Sequence, residues 1–136
     1  MVIDTSAILA ILLHEPEAYV FADAIAKSQT RLVSTSTVLE ATMVLESRLG
    51  ELGRRELDLF LYATKTEIIA FDAEQLALAR QAFRRFGKGK HSAGLNFGDC
   101  FSYALAKATG NPLLFKGIDF AQTDVVVMSN NDAERS

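Results

Sequence analysis

Short apolar runs alternate along the chain with longer segments in which apolar residues recur every three to four positions. The short runs predict β-strands, and the longer segments predict amphipathic helices. The expected strands cover residues 2–4, 31–34, 68–71, 112–115 and 124–128. The expected helices cover residues 7–13, 16–27, about 38–49, 54–64, 73–86 and 97–109. This alternation predicts an α/β fold whose central sheet is mainly parallel and covered by helices on both faces.

Local polar and glycine residues predict where several helices begin and end. Thr5 or Ser6 is expected to cap the first helix, and Asp72 the helix at 73–86. Gly50 and Gly53 are expected to stop the helix at 38–49. The helical spacing also places several apolar side chains in the core, among them Leu76, Phe83 and Phe97.

Length and composition limit the classes of protein that need consideration. The chain has 136 residues, of which 49% are hydrophobic and 23% charged, so we expect a single domain over 1–136 with a polar tail at about 130–136. The single cysteine, Cys100, excludes an internal disulfide and favours a reducing, cytoplasmic setting. The apolar run at 7–13 is too short to span a bilayer, so neither export nor membrane insertion is expected.

The formal charge is unevenly distributed. The net charge is −3, yet the window at 79–91 carries five positive residues and no acidic one, which leaves −8 for the rest of the chain. Such a window can attract a polyanion, although a solvated helix face explains it equally well. Its members are Arg80, Arg84, Arg85, Lys88 and Lys90.

Two acidic residues follow predicted strands, whose carboxyl ends bind ligands in parallel α/β sheets, and two more lie in predicted helices. Asp4 ends the first strand, Asp99 opens a helix, and Asp119 follows the strand at 112–115. Each also has an ordinary explanation, as a turn residue or as a favourable charge in the first turn of a helix. Glu40 has apolar neighbours and needs a partner, which the basic residues could provide.

Convergence of these carboxylates would require a cation, because the like charges would otherwise repel one another. An oxygen-only ligand set fits Mg²⁺ or Mn²⁺ and argues against zinc. A divalent cation that activates water favours phosphodiester hydrolysis. The alternative is a Mg²⁺-binding α/β signalling or interaction module without nuclease activity. A hydrolase built on His91 and Cys100 lacks a third, orienting residue.

Three segments together resemble the motifs of PIN-domain ribonucleases, and more closely those of VapC toxins from type II VapBC toxin–antitoxin pairs. They are MVIDTSAI, STVLEATMVLE and GLNFGDCFSYALAKATGNPLLFKGIDF. The resemblance spans nearly the whole chain and is most specific from Gly94 to Phe120. It implies a PIN-like three-layer α/β/α sandwich and a Mg²⁺-dependent endoribonuclease, with Mn²⁺ as a substitute. It also implies a homodimer, neutralised by a cognate VapB antitoxin in a higher-order complex.

The same resemblance implies a role for each acidic residue. Asp4 and Asp99 are implied as direct metal ligands, and Glu40 and Asp119 complete the cluster directly or through water. Asp124 is a further candidate, although it can equally begin the last strand.

Other residues are candidates for binding RNA. Thr5 and Ser6 are candidates for orienting substrate or water, with helix capping as the alternative, and Asn96 either binds a phosphate or shapes the turn before Gly98. The residues expected to follow the RNA backbone are Arg80, Arg84, Arg85, Lys88 and Lys90. Aromatic stacking is open to Tyr103, Phe97 and His91. Dimerisation is expected through the faces around 39–49 and 57–61, unless these pack internally.

Overall fold

A computed structural model, which describes residues 1–89 and 91–128, contains a four-stranded parallel sheet. Lys90 and the predicted tail at 130–136 lie outside the described residues. The strands are β1 (Val2–Ile3), β2 (Leu32–Ser34), β3 (Glu67–Ile69) and β4 (Leu113–Leu114). Their order in the sheet is β3-β2-β1-β4, and each neighbouring pair is parallel. The predicted α/β class is confirmed.

Six α-helices connect and follow the strands in the described part of the chain. They are α1 (Thr5–Leu12), α2 (Ala18–Lys27), α3 (Thr35–Leu49), α4 (Glu51–Ala63), α5 (Ala73–Phe86) and α6 (Phe97–Thr109). A short 3₁₀ turn, Phe120–Gln122, follows β4. None of the helices in residues 1–89 and 91–128 combines the length and the apolarity that a bilayer-spanning segment needs.

Alternating strand residues face two separate cores, which gives the three-layer sandwich. Ile3, Val33 and Leu114 belong to one core, together with side chains of α1 to α4. Val2, Leu32 and Leu113 belong to the other, together with side chains of α5 and α6. These strand residues are nearly or fully buried, as expected for a parallel sheet covered on both faces.

The predicted strand at 124–128 is wrong in extent. Only Val127 pairs with β4, as an isolated bridge to Leu113. Two backbone hydrogen bonds hold it, from Leu113 N to Val126 O (2.9 Å) and from Met128 N to Leu113 O (3.0 Å). The 3₁₀ turn Phe120–Gln122 and a bend at 123–125 come before this contact, so the chain pairs with the sheet edge at a single position.

Gly50 and Gly53 have different structural roles, and only Gly50 ends a helix. Gly50 has a φ of +65°, which favours glycine, and forms the corner between α3 and α4. Gly53 lies inside α4, where a Cβ would be 2.3 Å from Leu45 O. Its missing side chain lets α4 pack closely on α3. Leu57 and Leu61 are buried in that contact, so for these two residues the alternative of internal packing holds rather than an outer dimer face.

Three apolar side chains expected in the core are exposed instead. The exposed fractions are 47% for Leu76, 41% for Phe83 and 81% for Phe97. On α5 the small side chains Ala79 and Ala82 are buried, whereas the bulky Leu76 and Phe83 lie at the edge of the buried face. They line an open apolar groove of about 780 Å³ whose walls also include Phe71, Phe101, Arg80 and Arg84.

Candidate active site

Asp4 lies where β1 ends and is itself the N-cap of α1, so neither Thr5 nor Ser6 is the cap. Its side chain is 4% exposed. One carboxylate oxygen, Oδ2, accepts hydrogen bonds from Ser6 N (3.1 Å) and Ser6 Oγ (2.7 Å). The other, Oδ1, accepts from Ser102 Oγ of α6 at 2.6 Å. Asp4 therefore connects the first strand to the helix that carries Asp99.

Glu40 projects from α3 toward the N-terminal turn of α6. Thr5 Oγ1 donates a 2.5 Å hydrogen bond to Glu40 Oε1. A Cβ on Gly98 would lie 2.2 Å from Glu40 Oε2, so glycine leaves the room that this carboxylate occupies. Among the described residues, the hydrogen-bond donor to Glu40 is the Thr5 hydroxyl and not one of the basic residues that were expected to satisfy it.

Asp99 lies in the first turn of α6 and forms a reciprocal capping box with Asn96. Asn96 N donates to Asp99 Oδ2, and Asp99 N donates to Asn96 Oδ1, both at 3.0 Å. Burial raises the pKa of the Asp99 carboxyl to about 6, against the lowering effect of the Asn96 backbone hydrogen bond. The charges of Asp4, Asp119 and Glu40 raise it further. Asp99 is thus electrostatically coupled to the other three acids of the predicted set.

Asp119 is exposed and begins the 3₁₀ turn after β4. The loop before it is tied to α1, because Lys116 N donates a 2.9 Å hydrogen bond to Ser6 Oγ. The Lys116 ammonium also lies 2.6 Å from Glu15 Oε2. These contacts bring the segment of Asp119 to the same edge of the sheet as Asp4.

The four acids match a hard divalent cation in ligand type and charge. All offer carboxylate oxygens. Burial is the main cause of the raised pKa of Asp99, and the charges of the other three acids add to it, a repulsion that a cation would relieve. Among residues 1–89 and 91–128, no three His, Cys, Asp or Glu side chains are arranged so that they could hold one ion. Instead, three of the carboxylates accept from nearby hydroxyl or backbone donors. A carboxylate oxygen that accepts one hydrogen bond keeps a second lone pair, so these contacts leave lone pairs free for an ion.

Comparison with known proteins assigns the family. The family profile described as PIN domain matches residues 1–126. The chain belongs to the PIN-domain family. Within it, the chain is 56% identical over 128 residues to a ribonuclease VapC of Mycolicibacterium smegmatis, covering 94% of this chain and 99% of that relative. The motif resemblance to VapC ribonucleases is thereby confirmed.

Solved structures show the same fold at low sequence identity. This PIN domain superposes on VapC20 of Mycobacterium tuberculosis, a toxin that cleaves the sarcin–ricin loop, with a TM-score of 0.75 at 17% identity. The superposition covers 92% of this chain and 95% of the other. VapBC2 of Rickettsia felis, bound to a promoter DNA fragment, gives a TM-score of 0.72 at 20% identity and covers 93% and 94% of the two chains. The PIN-like sandwich is confirmed.

Asp124 belongs to a different contact network of the PIN domain. It accepts hydrogen bonds from Tyr103 Oη (2.5 Å) and Lys107 Nζ (3.3 Å), and it forms a 3.3 Å ion pair with Arg85. Burial raises the pKa of Asp124, but the Tyr103 and Lys107 hydrogen bonds and the nearby cations outweigh burial and lower it overall. Burial, and then the same contact with Asp124, raise the pKa of the Tyr103 hydroxyl. Asp124 thus ties the chain after the 3₁₀ turn to α5 and α6.

The predicted RNA-binding residues are divided among several places. Arg84 and Lys88 are exposed, whereas Arg85 pairs with Asp124 and lies over the Phe86 ring at 4.7 Å. Asn96 caps α6, and Thr5 and Ser6 contact the acidic residues as described above. Lys90 lies outside the described residues.

Sequence reasoning missed two residues that shape the acidic cluster. Ser102 contacts Asp4, and Gly98 makes room for Glu40. Both lie within one turn of Asp99 on α6, and helical spacing places Ser102, at i+3, beside Asp99. That spacing is the available sequence signal, although it does not identify the partner across the fold.

Proposed function

We propose that this chain is the toxin of a VapBC-type toxin–antitoxin pair and cleaves RNA phosphodiester bonds with Mg²⁺, for which Mn²⁺ can substitute. The observation that carries the proposal is the set of contacts linking α1, α3, α6 and the loop after β4, which gathers the segments of four acids at one sheet edge. The endoribonuclease class follows from the VapC relatives. The identity of the metal and the role of each acidic residue are what we propose beyond that class.

In this mechanism Asp4 and Asp99 would hold the metal ion directly, while Glu40 and Asp119 complete the site directly or through water. When bound, the ion would activate water for attack on phosphorus and neutralise charge on the phosphoryl oxygens. Because the pKa of Asp99 is about 6, its carboxyl is mostly ionised above neutral pH and available as a ligand. Arg84 and Lys88 would contact the RNA backbone and position it without selecting a sequence.

The direct test is cleavage of RNA by the purified protein. EDTA should abolish cleavage, and Mg²⁺ or Mn²⁺ should restore it. Replacing a residue that hydrogen-bonds a metal ligand typically costs roughly 10- to 100-fold in activity. Asp4→Asn and Asp99→Asn, which remove proposed ligands themselves, should lose more activity than this while remaining folded. Asp72→Asn is the matched control, because Asp72 caps α5 by accepting from Gln75 N, and asparagine keeps that bond.

The chemistry of the products tests the nucleophile. Attack by water predicts 5′-phosphate and 3′-hydroxyl ends, with no participation of the ribose 2′-hydroxyl. A cyclic phosphate product would contradict the mechanism. Cation binding without any RNA cleavage would instead favour the alternative of a signalling or interaction module.

A homodimer is the second part of the proposal, and exposed apolar residues support it. The exposed fractions are 61% for Leu39, 62% for Met43 and 81% for Phe97. These side chains line a groove of about 440 Å³ that also reaches Glu40. A second copy covering this face would remove a contiguous apolar patch from water. Sedimentation should show a dimer for the natural sequence and a monomer for Met43→Glu; an unchanged dimer in that variant would exclude this face.

The cognate antitoxin is the third part, and the acidic cluster suggests how it acts. A basic antitoxin side chain placed among the carboxylates would compete with both metal and substrate. Co-expression with a cognate VapB should yield a higher-order complex that does not cleave RNA. Full cleavage by that complex would contradict this mode of inhibition.

A further inference from the structure

The Ser102 hydroxyl is fully buried in α6, one turn beyond Asp99. It donates a 2.6 Å hydrogen bond to Asp4 Oδ1, and its oxygen lies 3.5 Å from Thr37 Oγ1. A hydroxyl has one hydrogen to donate, and a carboxylate oxygen only accepts. The Ser102 hydrogen is therefore committed to Asp4, which leaves Thr37 as a donor to Ser102.

The two oxygens of Asp4 are held from different helices. Ser6, two residues along the chain, donates to Oδ2 from α1. Ser102 donates to Oδ1 from α6. The bond to Ser102 is thus the contact that fixes the plane of the Asp4 carboxylate relative to the helix of Asp99.

We propose that Ser102 is a positioning residue that orients Asp4 toward Asp99 and thereby strengthens divalent-cation binding by the acidic cluster. This inference rests on the proposed function, because it assumes that the cluster binds a cation. Hydrogen bonds to the ligands of a metal orient them and contribute about 10- to 100-fold in metal affinity. Ser102 acts through Asp4 and does not itself touch the substrate.

The test is Mn²⁺ binding to the metal-free protein, measured by isothermal titration calorimetry without RNA. Ser102→Ala should raise the Mn²⁺ dissociation constant about tenfold or more. Ser102→Thr keeps the hydroxyl and should restore most of the affinity. Thr109→Ala is the matched control, because the Thr109 hydroxyl lies on the same helix but donates to Leu105 O at 2.7 Å.

Several outcomes separate this inference from the function on which it rests. Unchanged Mn²⁺ affinity in a folded Ser102→Ala variant overturns the role of Ser102 alone. A natural-sequence protein that binds no Mn²⁺ overturns both. Should the alanine variant not fold, Ser102→Cys keeps a similar volume with a weak donor, and it should also weaken Mn²⁺ binding; unchanged affinity there overturns the inference.

Discussion

Replacing Asp99 by asparagine should stabilise the metal-free protein while removing a metal ligand. The asparagine side chain can still accept from Asn96 N, so the capping box is retained. What disappears is a charge that burial, and to a lesser degree the other three acids, make unfavourable. The folded structure without a cation should therefore be easier to form.

The size of the effect follows from the raised pKa. The pKa of Asp99 rises from its ordinary 3.8 to about 6. At 1.36 kcal/mol per pKa unit, this shift corresponds to about 3 kcal/mol of unfolding free energy before solvent screening. Because Asp99 is only partly buried, solvent screening reduces the expected gain in unfolding free energy to on the order of 1–2 kcal/mol. For a chain of this length, that is a rise in Tm of roughly 3–6 °C.

The raised pKa of Asp99 also predicts how the stability difference changes with pH. A carboxyl whose pKa is higher in the folded state stabilises the fold at low pH, and this stabilisation is lost as pH rises through about 6. Urea unfolding in EDTA should therefore show little difference between Asp99→Asn and the natural sequence near pH 4, and the full difference above about pH 7. Asp72→Asn, which removes one carboxylate and keeps the bond from Gln75 N, is the matched control. An Asp99→Asn variant that is equally stable or less stable at pH 8 would refute the reasoning.

Three further changes test separate parts of the site. Gly98→Ala should reduce cleavage about as much as Glu40→Gln, because the new Cβ would lie 2.2 Å from Glu40 Oε2; full activity would contradict the packing. Replacing Arg84 and Lys88 by glutamine should weaken RNA binding and reduce its salt slope by about 1 per residue, whereas Arg85→Gln should change the slope less because Arg85 pairs with Asp124. An unchanged slope in the double variant would exclude those two residues from the RNA contact. Asp124→Asn should keep cleavage but lower the unfolding free energy by about 1 kcal/mol, since it weakens the contacts to Tyr103 and Lys107; lost cleavage with unchanged Tm would instead place Asp124 in the metal site.

The spacing of apolar and polar residues predicted the sheet and the helices that cover it, because the periodicity of a strand or helix depends on neighbours along the chain. Ile3 and Val2 face opposite cores, as alternation along a strand requires. Pattern could not predict that Phe97 is exposed, because exposure depends on which faces other elements cover. It also could not distinguish Gly53, which permits a close helix contact, from Gly50, which forms a corner.

The acidic residues were predictable from strand ends, from an acidic side chain among apolar neighbours and from motif resemblance, but their partners were not. Thr5 contacts Glu40 across 35 residues, and Ser102 contacts Asp4 across 98. Such pairs arise only when the sheet brings β1, α3 and α6 together. The sequence therefore identified candidate ligands, while the side chains that orient them required the three-dimensional arrangement.

The central claim is that Asp4, Glu40, Asp99 and Asp119 together form a divalent-cation site. Anomalous scattering from crystals soaked in Mn²⁺ tests it most directly, because the signal locates the ion independently of activity. We predict a peak near the carboxyl edge of β1, at about 2.0–2.3 Å from oxygens of Asp4 and Asp99, and its loss in Asp99→Asn. A peak elsewhere, or none in crystals of protein that cleaves RNA, would contradict the account.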